Sequence, residues 1–404
     1  MILSALVLLG MFIHSAWRVV PPQAVHIETG PVGGSFHVNA LQYLGHLERV
    51  GFKTDIHPDP QSLHIVQRLN GEDGGHVDIG FTAQWVDPSA YPNVFSAGAI
   101  ELQPLFLFVH KDLGTIESPA GLLGKRVVMP PEFSASAKAA RDVMALYGVT
   151  AQNTHFSYML IADASAALQK GQFDAGFFML APANAMIDQL GRHGDLTLYS
   201  FNDVEAIARK LSYLKPCLLP HGAFELRLGR PEVDVRMVGA TVNVIVNRDI
   251  HPAVLYALLN AMKDAHSGQT LVSSRGDYPN FVNTDLPLHP LVVEWSKNGT
   301  PWIYKVFSPL LASLIQEYWL PVLAVVAVVS VYDTLNKLYN MIHLLTISAA
   351  LEILTHLRAS VAGGRQPGPL HMALFRLAEG VVMRDKRDKK ARELLDQLRS
   401  EIKP

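Results

Sequence analysis

The sequence predicts an α/β protein of two lobes, followed by a membrane-crossing helix and a helical tail. Three observations carry this prediction. From residue 25 onward, short apolar runs alternate with stretches of helical period, the pattern of strand-helix-strand units. A second alternating run of similar size begins at 105, and a further strand and helix follow it, so that two units face each other across a cleft. Beyond them, Tyr318 to Tyr332, "YWLPVLAVVAVVSVY", carries no charge and leads into a tail of different composition.

A chain of 404 residues suffices for two or three domains with large cores. The net charge of −2, without long basic stripes, argues against a nucleic-acid surface and for small molecules or proteins as partners. The single cysteine, Cys217, excludes an intramolecular disulfide and a cysteine-based zinc cluster.

At the start, Ile2 to Ile13 has the length of a signal-peptide core or short anchor and ends at His14, Trp17, Arg18 and Pro21-Pro22. It lacks the basic residues expected before such a core and a small-x-small cleavage site. Residues 1–20 are therefore read as a signal anchor in preference to a cleaved signal peptide, with a misassigned start codon as the third reading.

Residues 25–300 form the two-lobed domain. "AVHIETG", "FKTDIHP" and "HVDIGFT" read as strands, separated by the helices "FHVNALQYLGHLERVG" and "SLHIVQRLN". The second run opens with "LFLFVH" at 105–110 and continues through "KRVVMP", a helix from Ser136 to Tyr147, a helix at "DASAALQKG", a strand at "DAGFFML" and a helix at "ANAMIDQLG". "ATVNVIVNRD" and "HPAVLYALLNAMKDAH" add a last strand and helix. Alternation of this kind predicts parallel sheets with right-handed crossovers. One lobe takes about 25–104 and 216–300, the other about 105–215.

The charge-free run at 318–332 spans about 22 Å as a helix, short of the roughly 30 Å hydrocarbon core, so the crossing segment is set at 307–333. Backward extension to Pro309 takes in Glu317, and forward extension meets Asp333 and Lys337. Trp302, Tyr304, Tyr318 and Trp319 stand where interfacial aromatics belong. In the tail, 334–404, Leu338, Ile342, Leu345 and Ala349 recur at helical spacing. "AGGRQPGP" at 362–369 then breaks the chain before a last helix. "RDKRDKK" at 384–390 is either a cytoplasmic positive-inside signal or a solvated helix face. The first alternative puts the tail in the cytoplasm and residues 25–300 outside the inner membrane.

Within the domain, Gly30, Gly33 and Gly34 make a glycine turn at the first strand-to-helix joint, where the backbone can approach a ligand and the helix N-terminus favours an anion. In the second run, Ser134 and Ser136 stand at a helix start. Each joint alone reads more readily as a capped turn than as a ligand site. Two facing each other point to a cleft that binds carboxylates.

"IETGPVGGSFH" resembles the glycine-rich opening of the TAXI-type solute receptors of tripartite (TRAP) transporters. The resemblance continues through "LLGKRVVMPPEFSAS", "AALQKGQFDAGFFMLAP", "VEAIARKLSYLKPCLLPHGAFEL", "NVIVNRDIHPAVLYALLNAM" and "WSKNGTPWIYKVFSPLLASLI". It covers residues 25 to about 335 and is nearest to the subgroup in which a membrane segment follows the receptor. It implies a periplasmic-binding-protein fold of the second type that closes on a small organic acid or amino acid. It further implies a receptor tethered to the inner (cytoplasmic) membrane, with its binding domain in the periplasm, that delivers solute to the membrane subunits of a TRAP transporter.

Gly30, Gly33 and Gly34 match the family's glycines, and Ser35 takes the small hydroxyl position. The aromatic pair that follows is here Phe36-His37. Ser62 is kept from the family's Gly-Ser dipeptide, Ile65 replaces a later Asn, and Ser134-Ala135-Ser136 stands for Ser-Gly-Thr. These departures imply an altered ligand or a weakened cleft. The expected ligand-binding residues are Gly33, Gly34, Ser35, Phe36, Ser62, Thr82, Ser134, Ser136 and Met179, with Phe36 stacking on the apolar part of the ligand.

No catalytic residue, cofactor or metal ligand is expected. The seventeen histidines are dispersed and show no His-x-x-x-His pair flanking Glu, so His37, His57 and His64 are read as surface or cleft residues. Asp78 and Asp174 are read as strand ends in "DIG" and "DAG". An enzyme on this fold, of the pyrimidine-precursor synthase kind, lacks a His or Lys in a catalytic context. A membrane-anchored ligand sensor or scaffold that signals through the C-terminal helices is the alternative function, favoured by the length of the tail.

Overall fold

Alternate apolar positions make β1 (Ala24–Thr29) a strand whose Val25 and Ile27 are fully buried. It pairs in parallel with β2 (Lys53–Pro58) on one side and β3 (Ile79–Thr82) on the other. The crossovers are α1 (Ser35–Val50) and α2 (Ser62–Leu69). α1 stops at Gly51, whose φ of 103° is a left-handed cap that other residues adopt at a cost. The structure is a computed structural model that describes residues 19–59, 61–282, 286–363, 367–384 and 388–402. The apolar stretch from Ile2 to Ile13 lies outside these residues, as do parts of the "AGGRQPGP" break and of the "RDKRDKK" cluster.

The chain forms two compact units, Met1–Glu317 and Tyr318–Pro404. In the first, the described strands make one sheet in the order β2-β1-β3-β10-β4-β7-β5-β6. Its remaining members are β4 (Val94–His110), β5 (Arg126–Met129), β6 (His155–Tyr158), β7 (Ala175–Met179) and β10 (Val235–Asn247). Off this path, β8 (Leu196–Leu198) pairs with β4, and β9 (Leu214–Leu219) pairs with β10. Helices α3 (Ala135–Leu146), α4 (Ile161–Gln169), α5 (Ala185–Arg192), α6 (Val204–Lys210) and α7 (Pro252–His266) complete the alternation. This is the α/β alternation of strand and helix that the sequence predicts.

The sheet is mixed, whereas strand-helix alternation alone predicts a parallel one. β1, β2 and β3 pair in parallel, as do β5, β6 and β7, but β4 and β10 run antiparallel to their neighbours. The physical reason is connectivity: the chain leaves the first lobe along β4 and returns along β10, so these two strands lie side by side in opposite directions. They approach closely at Gly239, where a Cβ would sit 2.6 Å from the Gln103 carbonyl oxygen and 3.1 Å from Pro104 Cα. Two register shifts bulge β4 against β10, between Val242 and Asn243 and between Val244 and Ile245.

One apolar core is continuous from Val25, Ile27 and Tyr43 through Ile100 and Leu107 to Val127, Phe177 and Phe201. The opposite face of the sheet is covered separately at each end. Ile65, Leu69 and Ile245 pack there in the first lobe, and Phe106, Phe108, Val128, Phe178 and Leu190 in the second. Leu219, Phe224, Val235 and Met237 belong to that second cluster. Residues beyond 216 thus still pack with the second lobe, and the chain returns to the first along β10.

Short helices α8 (Pro290–Asn298) and α9 (Trp302–Val306) lead to α10 (Pro309–Ala362), a helix of 54 residues, about 80 Å long. Among the described residues it is the one helix long and apolar enough to cross a membrane, and its apolar side chains from Leu320 to Val331 are exposed. In the second unit, the end of α10 packs with α11 (Pro369–Arg384) and α12 (Lys389–Ile402) through Leu354, Leu357, Phe375, Leu395 and Leu398. Leu338, Ile342 and Leu345, at helical spacing, are exposed, and the buried stripe of this helix runs Ile347, Ala350, Leu354, Leu357.

Candidate ligand cleft

Two turns of the same design open the first helix of each lobe's cleft face. In the first, the Gly34 amide donates to the Pro31 carbonyl at 2.9 Å, and Gly34 takes φ −73°, ψ 158° as the N-cap of α1. In the second, the Ser134 amide donates to the Pro131 carbonyl at 2.9 Å, and Ser134 takes φ −73°, ψ 155° as the N-cap of α3. Gly33 is in the left-handed region at φ 80°, which favours glycine there. Gly34 is small for a different reason: a Cβ would lie 2.9 Å from the Pro31 carbonyl oxygen. The Ser134 hydroxyl accepts from the Ala137 amide at 3.2 Å and caps its helix, whereas Gly34 offers no side chain to do so.

Gly34, Ser35, Phe36, Ser62, Ser134, Ser136 and Met179 line one cavity, together with Gly30, Gln103, Ile161 and Leu180. Two residues expected there are elsewhere. Gly33 sits one residue outside the lining, and its carbonyl accepts from the Asn184 side-chain amide at 3.3 Å. Thr82 is fully buried at the end of β3, where its hydroxyl exchanges long hydrogen bonds of 3.4 Å with the Gln84 backbone.

The lining hydroxyls are held by the protein itself. Ser35 Oγ accepts from the Ala181 amide at 2.8 Å, and Ser62 Oγ accepts from the Ala135 amide at 3.1 Å, each bond joining one lobe to the other. The Ser62 amide donates to the Phe133 carbonyl at 3.3 Å. Ser136 Oγ donates to the Met179 carbonyl at 3.0 Å and accepts from its amide at 3.2 Å, pinning the end of β7 to α3. What remains is a cavity of about 30 Å³, room for one or two waters. The two lobes are thus hydrogen-bonded to each other beside this cavity.

Phe36 does not face an open stacking site. Its ring is 7% exposed and stacks on Phe81 at 5.8 Å, within the continuous core. Ile65, which stands for the family's Asn, is fully buried against β3 and occupies the space a Cβ at Gly80 would need. His37 turns back, with Nδ1 3.2 Å from the Thr29 hydroxyl.

Behind the cleft lies a group that sequence reasoning missed. Gln103 lines the cavity and donates from Nε2 to Glu101 Oε1 at 2.6 Å, and Asn39 Nδ2 donates to the same oxygen at 2.8 Å. Burial raises the Glu101 carboxyl above its ordinary range, against the two hydrogen bonds, which pull it down. Tyr43 is raised well above the usual phenol range, first by burial and then by the Glu101 charge. The signal in sequence was polar Glu101 and Gln103 inside "AIELQPLFLF", two residues apart and hence on one strand face.

Residues 88–274 match the model of the NMT1-like family. Among solved structures, the chain is similar to the alkanesulfonate-binding protein SsuA from Xanthomonas axonopodis pv. citri bound to MOPS. That similarity has 17% identity and a TM-score of 0.40, covering 61% of this chain and 73% of the other. The periplasmic aliphatic sulphonate binding protein SsuA from Escherichia coli is similar at 18% identity and a TM-score of 0.39, covering 61% and 73%. Holo ArgBP from T. maritima is similar at 11% identity and a TM-score of 0.38, covering 60% and 90%.

Proposed function

We propose that this chain is a membrane-tethered, extracytoplasmic solute-binding receptor of the TAXI type, which captures a small organic acid or amino acid by lobe closure and delivers it to the membrane subunits of a TRAP transporter. The observation that carries the reading is the pair of matched turns, Pro31 to Gly34 and Pro131 to Ser134, which bring two helix N-termini from opposite lobes to one cavity beside Ser35, Ser62 and Ser136. Helix N-termini and hydroxyls recognise a carboxylate without chemistry being done on it. Ser35 and Ser62 exchange their cross-lobe amide donors for ligand contacts when the lobes part. The apolar helix Pro309–Ala362 supports the tether.

The test is thermal unfolding of the full-length chain in detergent against a panel of amino acids, dicarboxylates and other small acids. A ligand at a hundredfold above its Kd adds about 2.7 kcal/mol to the folded state. One chemical class is expected to raise the melting temperature, and Ser35→Ala is expected to abolish the rise. A flat response across the panel overturns the receptor reading. Release of the protein from membranes by alkaline carbonate overturns the tether.

The second reading, a sensor or scaffold, is favoured by the separate core that α10, α11 and α12 make around Leu354, Phe375 and Leu395. Deleting residues 367–404 and finding uptake intact but a ligand response lost would select it.

A further inference from the structure

We propose that His26, Asp55 and His57, none of which lines the cleft, form a divalent transition-metal site of the zinc type on the outer edge of the sheet. His26 on β1 and Asp55 on β2 are direct partners in the parallel register, and His57 follows Asp55 by two residues. Side chains two apart on a strand share a face, and neighbouring strands are about 4.8 Å apart, so all three point to one side. One ligand atom from each residue lies within 4.8 Å of the others.

The separations suit a metal. Asp55 Oδ2 is 3.0 Å from His57 Nε2 and 3.5 Å from His26 Nδ1. Two donors bound to zinc at 2.0–2.1 Å and at a tetrahedral angle are about 3.3 Å apart, a value that these two distances bracket. Two imidazoles and a carboxylate are a donor set of borderline softness, matched to Zn²⁺, Co²⁺ or Ni²⁺ rather than to Ca²⁺ or Mg²⁺. Three protein donors leave a fourth position for water or a small anion.

The neighbours fix the ring of His26. It meets the His76 ring edge-on at 5.9 Å, while its backbone amide donates to Asp78 Oδ2 at 2.9 Å. His57 and Asp55 are more than half exposed, so an ion reaches them from solvent without any opening of the fold. No local motif announces this site, because its histidines lie on two strands joined by a helix.

Titration calorimetry of the metal-free full-length chain with ZnCl₂ tests the assignment. One saturable site is expected, with affinity lowered at least tenfold in His57→Ala and in His26→Ala and unchanged in His64→Ala. Co²⁺ in place of Zn²⁺ is expected to give visible d–d absorption of a four-coordinate nitrogen and oxygen site, lost in the same two variants. Melting temperatures of the metal-free variants equal to that of the parent exclude misfolding as the cause. No saturable binding, or binding that both variants keep, overturns the site and leaves the three residues as ordinary surface ion pairs.

Discussion

Tyr43 stands between two titratable groups of opposite sign, the buried Glu101 and the half-buried His266. Its hydroxyl is hydrogen-bonded to His266 Nε2 at 2.8 Å, and it feels the charge of Glu101. Burial lowers His266 from 6.5 to about 4. As pH falls below 6.5, the unfolded chain takes up this proton first, so stability is lost between pH 6.5 and about 4, by about 3 kcal/mol at most. Glu101 works the other way: its folded-state affinity for the proton is raised, so the same acidification stabilises the fold. In His266→Gln, whose amide oxygen can still accept from Tyr43, the acid-side loss is expected to shrink over this window, with His251 and His289, which burial also lowers, keeping the remainder. The denaturation midpoint should then fall less steeply toward pH 4.5 than in the parent. A midpoint that falls as steeply as in the parent would place the acid sensitivity elsewhere.

The strands β4 and β10 hold the two lobes in one sheet, and glycine is required where they cross. Gly239→Ala pushes a methyl group against the Gln103 and Pro104 backbone, which cannot rotate away as a side chain would. The expected cost is on the order of 3 kcal/mol, measured by chemical denaturation. Gly45 is the control, since it lies inside α1 with nothing within 4 Å of its Cβ position. Gly45→Ala is expected to stabilise by about 0.5–1 kcal/mol. Most elements were legible from period and punctuation alone, among them α1, which follows Gly33-Gly34 and ends at Gly51, and α7, which starts at Pro252. The full length of β4 was not, because Gly98, Glu101, Gln103 and Pro104 interrupt its apolar pattern and only pairing with β10 keeps it a strand. Which face of the tail helix is buried was not legible either. An almost wholly apolar helix shows little contrast between its faces, and α11 and α12 decide which residues are covered.

At the scale of the molecule, the proposed capture by lobe closure requires the lobes to part before a ligand can enter. Gly34, Ser35, Ser134 and Ser136, which stand out in the sequence because turn chemistry is local, line one cavity. The sequence did not reveal that Ala181 and Ala135 amides would occupy Ser35 and Ser62, because pairs separated by 146 and 73 residues leave no local pattern. If closure is held by these bonds, weakening one that ligand does not touch should speed entry. Asn184 supplies such a case: its side-chain amide donates across the cleft to the Gly33 carbonyl, while its side-chain oxygen accepts from the Met186 amide and caps α5. Asn184→Asp keeps the cap, since Asp and Asn cap equally well, and replaces the donor with an oxygen that repels the carbonyl. Spin labels at exposed Lys53 and Lys170, in a Cys217→Ser background, report the lobe separation by pulsed electron resonance. In the absence of solute, the variant is expected to shift toward longer distances, and any solute found by thermal shift should associate faster with it. The melting temperature should change by less than about 1 kcal/mol equivalent. An unchanged distance distribution would mean that the continuous core beneath the sheet, rather than the polar contacts over the cleft, keeps the lobes together.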